Sequence, residues 1–250
     1  MGEEYANQLI NMPISEAAII GFAAGVSTSG MPTCAEIMFG DFLGLSADQI
    51  VNHLAKFGVM HNSHTPSLIV RTPIGGGRGY GATHSQNLEK MFGGIPGVTL
   101  MHISFLHDIK LAFEGASINK GCNIISEPKL QYGMSLKSLP KNFNDLFLVK
   151  TIVSDHSQEM LYISSKFAKS TISLITTGIM LPKAINAVKH VMLHNEVYAE
   201  IICPRTVYPL IGCELLSTIV KGKTLIIDEA HEGYGSETFW YYQHCCSLWQ

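Results

Sequence analysis

Length, composition and charge already exclude several classes of protein. The chain has 250 residues, of which 46% are hydrophobic and only 15% are charged, a balance typical of a folded protein with a large core. The formal net charge of −3 gives no reason to expect nucleic acid as a partner. No apolar run approaches the roughly 20 residues that a membrane helix needs, so we expect no membrane partner.

The cysteines and histidines carry no metal-binding or disulfide pattern. Six cysteines are scattered along the chain without a C-x-x-C pair, and the polar start does not resemble a signal peptide. We therefore expect reduced thiols and a cytoplasmic location. The eleven histidines show no zinc-ligand spacing, so we expect no metal site built from this chain alone.

The first predicted element is a helix that begins after Pro13. Ser15 is a suitable N-cap, and Glu16 would lie in the first turn, where the helix dipole favours a carboxylate. The next residues, 17–25, are apolar or small, so we expect this helix to be buried on most of its surface. Two interpretations of Glu16 stay open at this point. It either only interacts favourably with the helix dipole, or it acts as an acid–base group whose pKa is raised by apolar surroundings.

Short apolar strands and helices then alternate in chain order. Strands are predicted over 34–39, 66–71, 98–103 and 123–127, with helices over 45–57 and 107–117. This alternation predicts an α/β fold with a mostly parallel sheet covered by helices on both faces.

A second and smaller α/β unit follows a less regular segment. Its strands are predicted over 171–178, 199–203 and 224–228, and its helices over 181–194 and 213–220. We therefore predict a first domain over 1–132, a linker over 133–168 and a partial second domain over 169–250.

A glycine-rich loop joins the second predicted strand to His84. Glycine occupies positions 75, 76, 77, 79 and 81, more often than a turn requires, which predicts backbone brought close to a ligand or another chain. The loop does not match the dinucleotide-binding pattern. A histidine at a helix start is usually structural, but open α/β sheets bind ligands at this edge, and both interpretations of His84 stay open.

Six separated motifs, in this order, resemble one family. They are 13–16 (PISE), 36–42 (EIMFGDF), 48–52 (DQIVN), 81–86 (GATHSQ), 204–209 (PRTVYP) and 229–237 (EAHEGYGSE). The chain resembles the beta subunit of the thiamine-diphosphate-dependent 2-oxo acid dehydrogenase E1 component, of the pyruvate and branched-chain type. The resemblance implies a transketolase-like pyrimidine-binding domain and a partial transketolase C-terminal-like domain. Family members begin earlier and end later, which implies truncation at both ends.

The resemblance also implies roles for four residues. Glu16 matches the glutamate that bonds N1′ of the cofactor's aminopyrimidine and promotes the tautomer that removes the thiazolium C2 proton. Phe42 matches an aromatic residue that packs on this ring, and Met38 matches a hydrophobic neighbour. Both are equally compatible with an ordinary core position. His84 matches a histidine that manages protons during acyl transfer.

The other half of such a site is absent from the sequence. The family holds the cofactor's diphosphate and Mg²⁺ with a Gly-Asp-Gly motif of the alpha subunit, and this sequence contains none. The resemblance therefore implies an α2β2 heterotetramer with an E1 alpha subunit, and transfer to a lipoyl acyltransferase E2. It also implies a possible K⁺ held by backbone carbonyls around residues 116–121.

The implied function is oxidative decarboxylation of a 2-oxo acid with acyl transfer to lipoamide. The chain would be an oxidoreductase subunit that is active only with its alpha partner. Two alternatives stay open: a transketolase-like enzyme that uses the same cofactor without lipoate, and a truncated, non-catalytic subunit that only binds its partner.

Overall fold

Two five-stranded sheets organise the part of the chain that the computed structural model describes, residues 3–155, 158–209 and 223–227. The strands are β1 Thr33–Glu36, β2 Ser67–Ile74, β3 Val98–His102, β4 Gly121–Pro128, β5 Phe147–Asp155, β6 Gln158–Ser165, β7 Ile172–Thr176, β8 Ala199–Pro204, β9 Thr206–Tyr208 and β10 Lys223–Ile227. The α-helices are α1 Glu16–Ser27, α2 Phe57–Met60, α3 Ile109–Ile118, α4 Phe143–Leu146 and α5 Leu181–Asn195. Of the predicted elements, the helix over 213–220 lies outside the described residues, as does the motif 229–237.

The first sheet has the order β1-β2-β4-β3-β9, and its first four strands are parallel. One face packs on α1, the 3₁₀ turn Gly40–Ser46 and the π-helical turn Gln49–Leu54. The other face packs on α3. Apolar strands of this kind must be covered on both sides to leave water, so the predicted α/β class is confirmed.

The second sheet has the order β10-β7-β8-β6-β5. Its parallel centre, β10, β7 and β8, is covered by α5, whose apolar side contacts both strands of the β7–β8 pair. The segment predicted as a linker, 133–168, differs from that prediction because β5 and β6 form an antiparallel hairpin that extends this sheet. The apolar inward positions of the hairpin need a covered face. The exact domain boundaries stay a prediction.

Helix α1 is less buried than its composition predicts. Only Ile20, Ala23, Ala24 and Ser27 are buried, and they face the first sheet. On the opposite side Ala18 is exposed and Phe22 is 48% exposed, and Ile14, which precedes the helix, is 83% exposed. Because residues four apart share one side of a helix, Ala18 and Phe22 form an apolar face that nothing in the described part of the chain covers.

Glu159 and Arg205 form a buried ion pair where the two sheets meet. Their side chains are 2% and 0% exposed, and an Arg205 guanidinium nitrogen lies 2.6 Å from Glu159 Oε2. Glu159 also accepts hydrogen bonds from the backbone N–H of Asp108, at 3.2 Å. Burial raises the pKa of Glu159, while the Asp108 N–H and Arg205 oppose this shift. A fully buried ion pair is stable only where additional hydrogen bonds of this kind offset the cost of removing the charges from water.

The chain crosses from the second sheet to the first at Arg205. The carbonyl of Arg205 accepts a hydrogen bond from the N–H of His102 at 2.8 Å, and β9 then pairs antiparallel with β3. Gly178 lies equally close, because a Cβ there would meet the carbonyl oxygens of His102 and Ile103, each at 2.8 Å. The two sheets are therefore in direct backbone contact.

His107 lies in the same interface in its neutral form. Its Nδ1 accepts from the Ser104 N–H at 3.0 Å, and its Nε2 donates to the Cys203 carbonyl at 3.2 Å. Burial lowers the pKa of His107 from 6.5 to about 3, and Arg205 adds to this shift. The neutral ring stabilises the folded chain above pH 6.5, and this stability is lost as the pH falls toward the folded pKa.

We expect His107 to contribute strongly to acid destabilisation. Between about pH 7 and pH 4.5, the free energy of unfolding of the wild-type chain should fall about 2–3 kcal/mol more than that of His107→Gln. Urea unfolding at several pH values measures this difference. His64→Gln, at an exposed position, is the control and should follow the wild type. Parallel curves for His107→Gln and wild type would contradict the assignment.

Among the described residues, no helix combines the length and apolarity needed to cross a membrane.

Candidate active site

An aromatic cluster surrounds His84 at the carboxyl edge of the first sheet. The ring of His84 lies edge-on to Phe39 and Phe42, with centroids 4.7 and 5.2 Å apart. Phe39 also contacts Tyr80 at 5.5 Å. These residues follow the ends of β1 and β2, so the parallel strands bring them to one edge. Phe42 and His84, two of the predicted site residues, lie in contact in the structure.

Lys129 lies beneath this cluster, directly after β4. It is 3% exposed, its Nζ donates to the His84 carbonyl at 2.5 Å, and it lies 4.9 Å from the centre of the Phe39 ring. Burial lowers the pKa of Lys129, and the Asp41 carboxylate opposes that shift. A buried cation over an aromatic face and on a carbonyl fixes the backbone that carries His84.

Asp41 adds a carboxylate to the same edge. Its Oδ1 accepts a hydrogen bond from the Gln86 N–H at 3.1 Å. Its Oδ2 is buried and has no hydrogen-bond partner within the described part of the chain. Together with Lys129, Asp41 holds the two ends of the segment that contains His84.

The glycine loop has a conformational explanation. Gly75, Gly77, Gly79 and Gly81 have φ between +78° and +86°, a region in which residues with a Cβ are strained. Left-handed residues at alternate positions therefore require these glycines, independently of any ligand. The loop is also tied to the cluster, because Arg78 donates to the Lys129 carbonyl at 3.1 Å.

Among the described residues, Glu16 and Met38 make no hydrogen bond or ring contact with the cluster. Glu16 opens α1, which packs against the turn Gly40–Ser46 that carries Phe42. Its side chain is half-buried, and among the described residues it makes no hydrogen bond or ion pair. Ser15 occupies the N-cap, but its side chain makes no capping hydrogen bond. Met38 is 52% exposed. The roles of Glu16, Met38, Phe42 and His84 stay predictions.

A second buried contact lies beside the segment that follows His84. Glu89 and His102 are both 0% exposed, and Glu89 Oε1 lies 2.9 Å from His102 Nε2, although the geometry is not that of a hydrogen bond. Glu89 belongs to the 3₁₀ turn Leu88–Phe92, and His102 ends β3. The contact therefore brings the backbone five residues after His84 next to the sheet.

Three residues of the cluster were missed at the sequence level. Phe39 lies in the motif 36–42, from which only Met38 and Phe42 were selected. Tyr80 lies within the glycine loop. Lys129 follows the end of β4 and belongs to no motif. Only the shared position after parallel strands could have indicated Lys129. No three His, Cys, Asp or Glu side chains of the described residues come together as a metal site.

Comparison with known proteins identifies one domain family. The family described as "Transketolase, pyrimidine binding domain" matches residues 1–134. Across its whole length the fold is similar to a solved structure of a split-gene transketolase in an inactive β4 tetramer, with a TM-score of 0.68 and 19% identity over 99% of this chain and 73% of the other.

Several curated proteins are similar over most of the chain. The beta subunit of acetoin:2,6-dichlorophenolindophenol oxidoreductase from Cupriavidus necator is 30% identical over 91% of this chain and 64% of its own length. The mitochondrial 2-oxoisovalerate dehydrogenase beta subunit of Chaetomium thermophilum is 30% identical over 95% and 50%. The pyruvate dehydrogenase E1 beta subunit of Acholeplasma laidlawii is 27% identical over 91% and 66%. The chain thus spans about half to two thirds of the length of these relatives.

We expect Lys129 to stabilise the segment that carries His84. Lys129→Met keeps most of the apolar volume but removes the charged hydrogen bond to the His84 carbonyl, so the free energy of unfolding should fall by about 1.5–3 kcal/mol. Urea unfolding measures it, with Lys137→Met at an exposed position as the control that should stay near wild type. Equal stability of the two variants would show that Lys129 has no anchoring role.

Proposed function

Because the chain belongs to the family of the transketolase pyrimidine-binding domain, we propose that it is the beta subunit, or part of the beta subunit, of a 2-oxo acid dehydrogenase E1 component. The reaction is the thiamine-diphosphate-dependent oxidative decarboxylation of a 2-oxo acid with acyl transfer to lipoamide. The similarity to beta subunits of this enzyme class supports the proposal. The observation that carries it is the His84 cluster at the strand ends, where His84 and Phe42 come together and the Asp41 carboxylate binds the Gln86 N–H.

Glu16 fits the requirement for a carboxyl that binds a ring nitrogen. Its side chain is half-buried, and it is engaged with no other group of the described chain, so it is available to N1′ of the aminopyrimidine. A carboxyl group at this position can share a proton with the ring nitrogen. When bound, thiamine diphosphate supplies the carbon nucleophile for the keto carbon of the substrate.

Phe42, Met38 and His84 complete this chain's share of the site. The half-buried ring of Phe42 offers an apolar surface for the aminopyrimidine, and the exposed side of Met38 extends it. His84 is held by its aromatic neighbours and by Lys129 on its carbonyl. A positioned imidazole of this kind moves protons during acyl transfer to the lipoyl group.

The partner in this proposal is an E1 alpha subunit. It would hold Mg²⁺ and the cofactor's diphosphate, because the sequence of this chain contains no Gly-Asp-Gly motif. The exposed apolar face of α1 supports such an assembly, since a helix face of this kind is stable in water only at a cost. The proposed assembly is α2β2, with a lipoyl acyltransferase E2 as acyl acceptor.

The thiols support a reducing compartment. Cys34, Cys122 and Cys203 are free, and burial raises the pKa of Cys122 to about 12, so it stays an unreactive thiol. We propose a cytoplasmic location on this basis.

We expect Glu16→Gln to abolish decarboxylation in the assembled enzyme. The amide cannot hold a transferable proton at the ring nitrogen, so the rate should fall at least ~100-fold. The assay uses the chain co-purified with an E1 alpha subunit, thiamine diphosphate and Mg²⁺, with lipoamide as acceptor. The control is Glu114→Gln on α3, whose side chain is 57% exposed, and it should retain the wild-type rate.

The same assay separates the competing functions. Wild-type activity of Glu16→Gln would contradict the assigned role of Glu16. Ketol transfer between sugar phosphates without activity on lipoamide would identify a transketolase-like enzyme. Failure of the wild-type chain to co-purify with any alpha subunit would leave the α2β2 proposal without support.

A further inference from the structure

In the loop between α3 and β4, side-chain hydrogen-bond donors of this chain bind backbone carbonyls that could otherwise bind a cation. The resemblance implies a possible K⁺ held there by backbone carbonyls of residues 116–121. Carbonyl oxygens are suitable ligands for hard cations, and the carbonyl end of a helix attracts positive charge. The last turn of α3 contains no basic residue. These carbonyl oxygens therefore need hydrogen-bond donors or a cation as partners.

Two neutral side chains donate to the carbonyls concerned. The Ser67 hydroxyl lies 3.0 Å from the Ala116 oxygen and 2.8 Å from the Asn119 oxygen. The Asn123 amide nitrogen lies 2.9 Å from the Asn119 oxygen and 3.4 Å from the Gly121 oxygen. The single Ser67 hydroxyl hydrogen serves either the Ala116 or the Asn119 carbonyl at a time, and the Asn123 amide donates to the Asn119 carbonyl in either case.

The orientation of the Asn123 amide is fixed by its surroundings. Asn123 is 0% exposed, and its Oδ1 accepts from the Asn119 amide nitrogen at 2.6 Å. That nitrogen also donates to Thr99 Oγ1 at 3.0 Å. Turning the Asn123 amide around would set two nitrogens against each other on one side and oxygens against carbonyls on the other. Without a cation between the oxygens, the amide nitrogen of Asn123 is therefore the atom that faces the carbonyls.

We infer that this loop is held by an internal hydrogen-bond network in place of a monovalent cation. The Asn123 N–H groups and the Ser67 hydroxyl donate hydrogen bonds to the carbonyl oxygens that a cation would need as ligands. A cation there would face these hydrogens at close range and without compensation. Folding of the chain is therefore independent of K⁺. This inference concerns stability and does not rest on the proposed activity.

The test compares the melting temperature of the chain in KCl, NaCl and choline chloride at the same concentration, by circular dichroism. We expect equal values within about 1 °C. A specific K⁺ site, filled at 100 times its Kd, would raise the melting temperature by roughly 5–10 °C in KCl. A KCl-specific rise of that size would overturn the inference.

A substitution that removes the donors sharpens the test. Asn123→Asp has the same shape but turns a carboxylate oxygen toward the carbonyls, so the variant should melt lower in choline chloride and regain stability in KCl. Asn144→Asp adds the same charge at an exposed position and should show no K⁺ dependence. Ser67→Ala should lose the same stability in all three salts. A loss confined to KCl would show that the hydroxyl coordinates a cation and would contradict the inference.

Discussion

The buried pair of Glu159 and Arg205 is the interaction on which the arrangement of the two sheets depends. It is costly to remove these charges from water, and removing one partner of a buried pair costs roughly 3–5 kcal/mol. The pair holds the crossing segment against β3, where His102 donates to the Arg205 carbonyl. His102 in turn meets Glu89, close behind His84 in the chain. A continuous series of buried polar contacts therefore joins the sheet interface to the candidate site.

The candidate site is rigid on one side and open on the other. Lys129 and the surrounding aromatic rings fix the backbone and ring of His84. By contrast, Glu16 has no partner among the described residues, and the α1 face beside it exposes apolar side chains such as Phe22. A preorganised half of a site next to an uncovered apolar surface is what a shared active site requires of each subunit. In the proposed function, this chain supplies the acid–base groups and its partner holds the diphosphate.

The sequence predicted what periodicity and motif spacing encode. Alternating apolar strands and helices predicted both sheets, and the motifs included Phe42 and His84, which lie in contact in the structure. The hairpin β5–β6 and the three-residue strand β9 were not predicted, because the antiparallel pairing of these strands with a sheet depends on long-range contacts and not on local pattern. Lys129 was not predicted because its burial depends on three separate strand ends meeting. The exposure of α1 was not predicted. An apolar helix is expected to be buried, but its composition does not show whether the same chain or a partner chain covers it.

Calorimetric titration of thiamine diphosphate, in the presence of Mg²⁺, tests the shared site most directly. The titration is made into this chain alone, into an E1 alpha subunit alone and into the co-purified complex. The account predicts tight binding by the complex and much weaker binding by either chain alone, because each supplies only part of the site. Binding by this chain alone with the affinity of the complex, or no binding by a stable complex, would contradict the account.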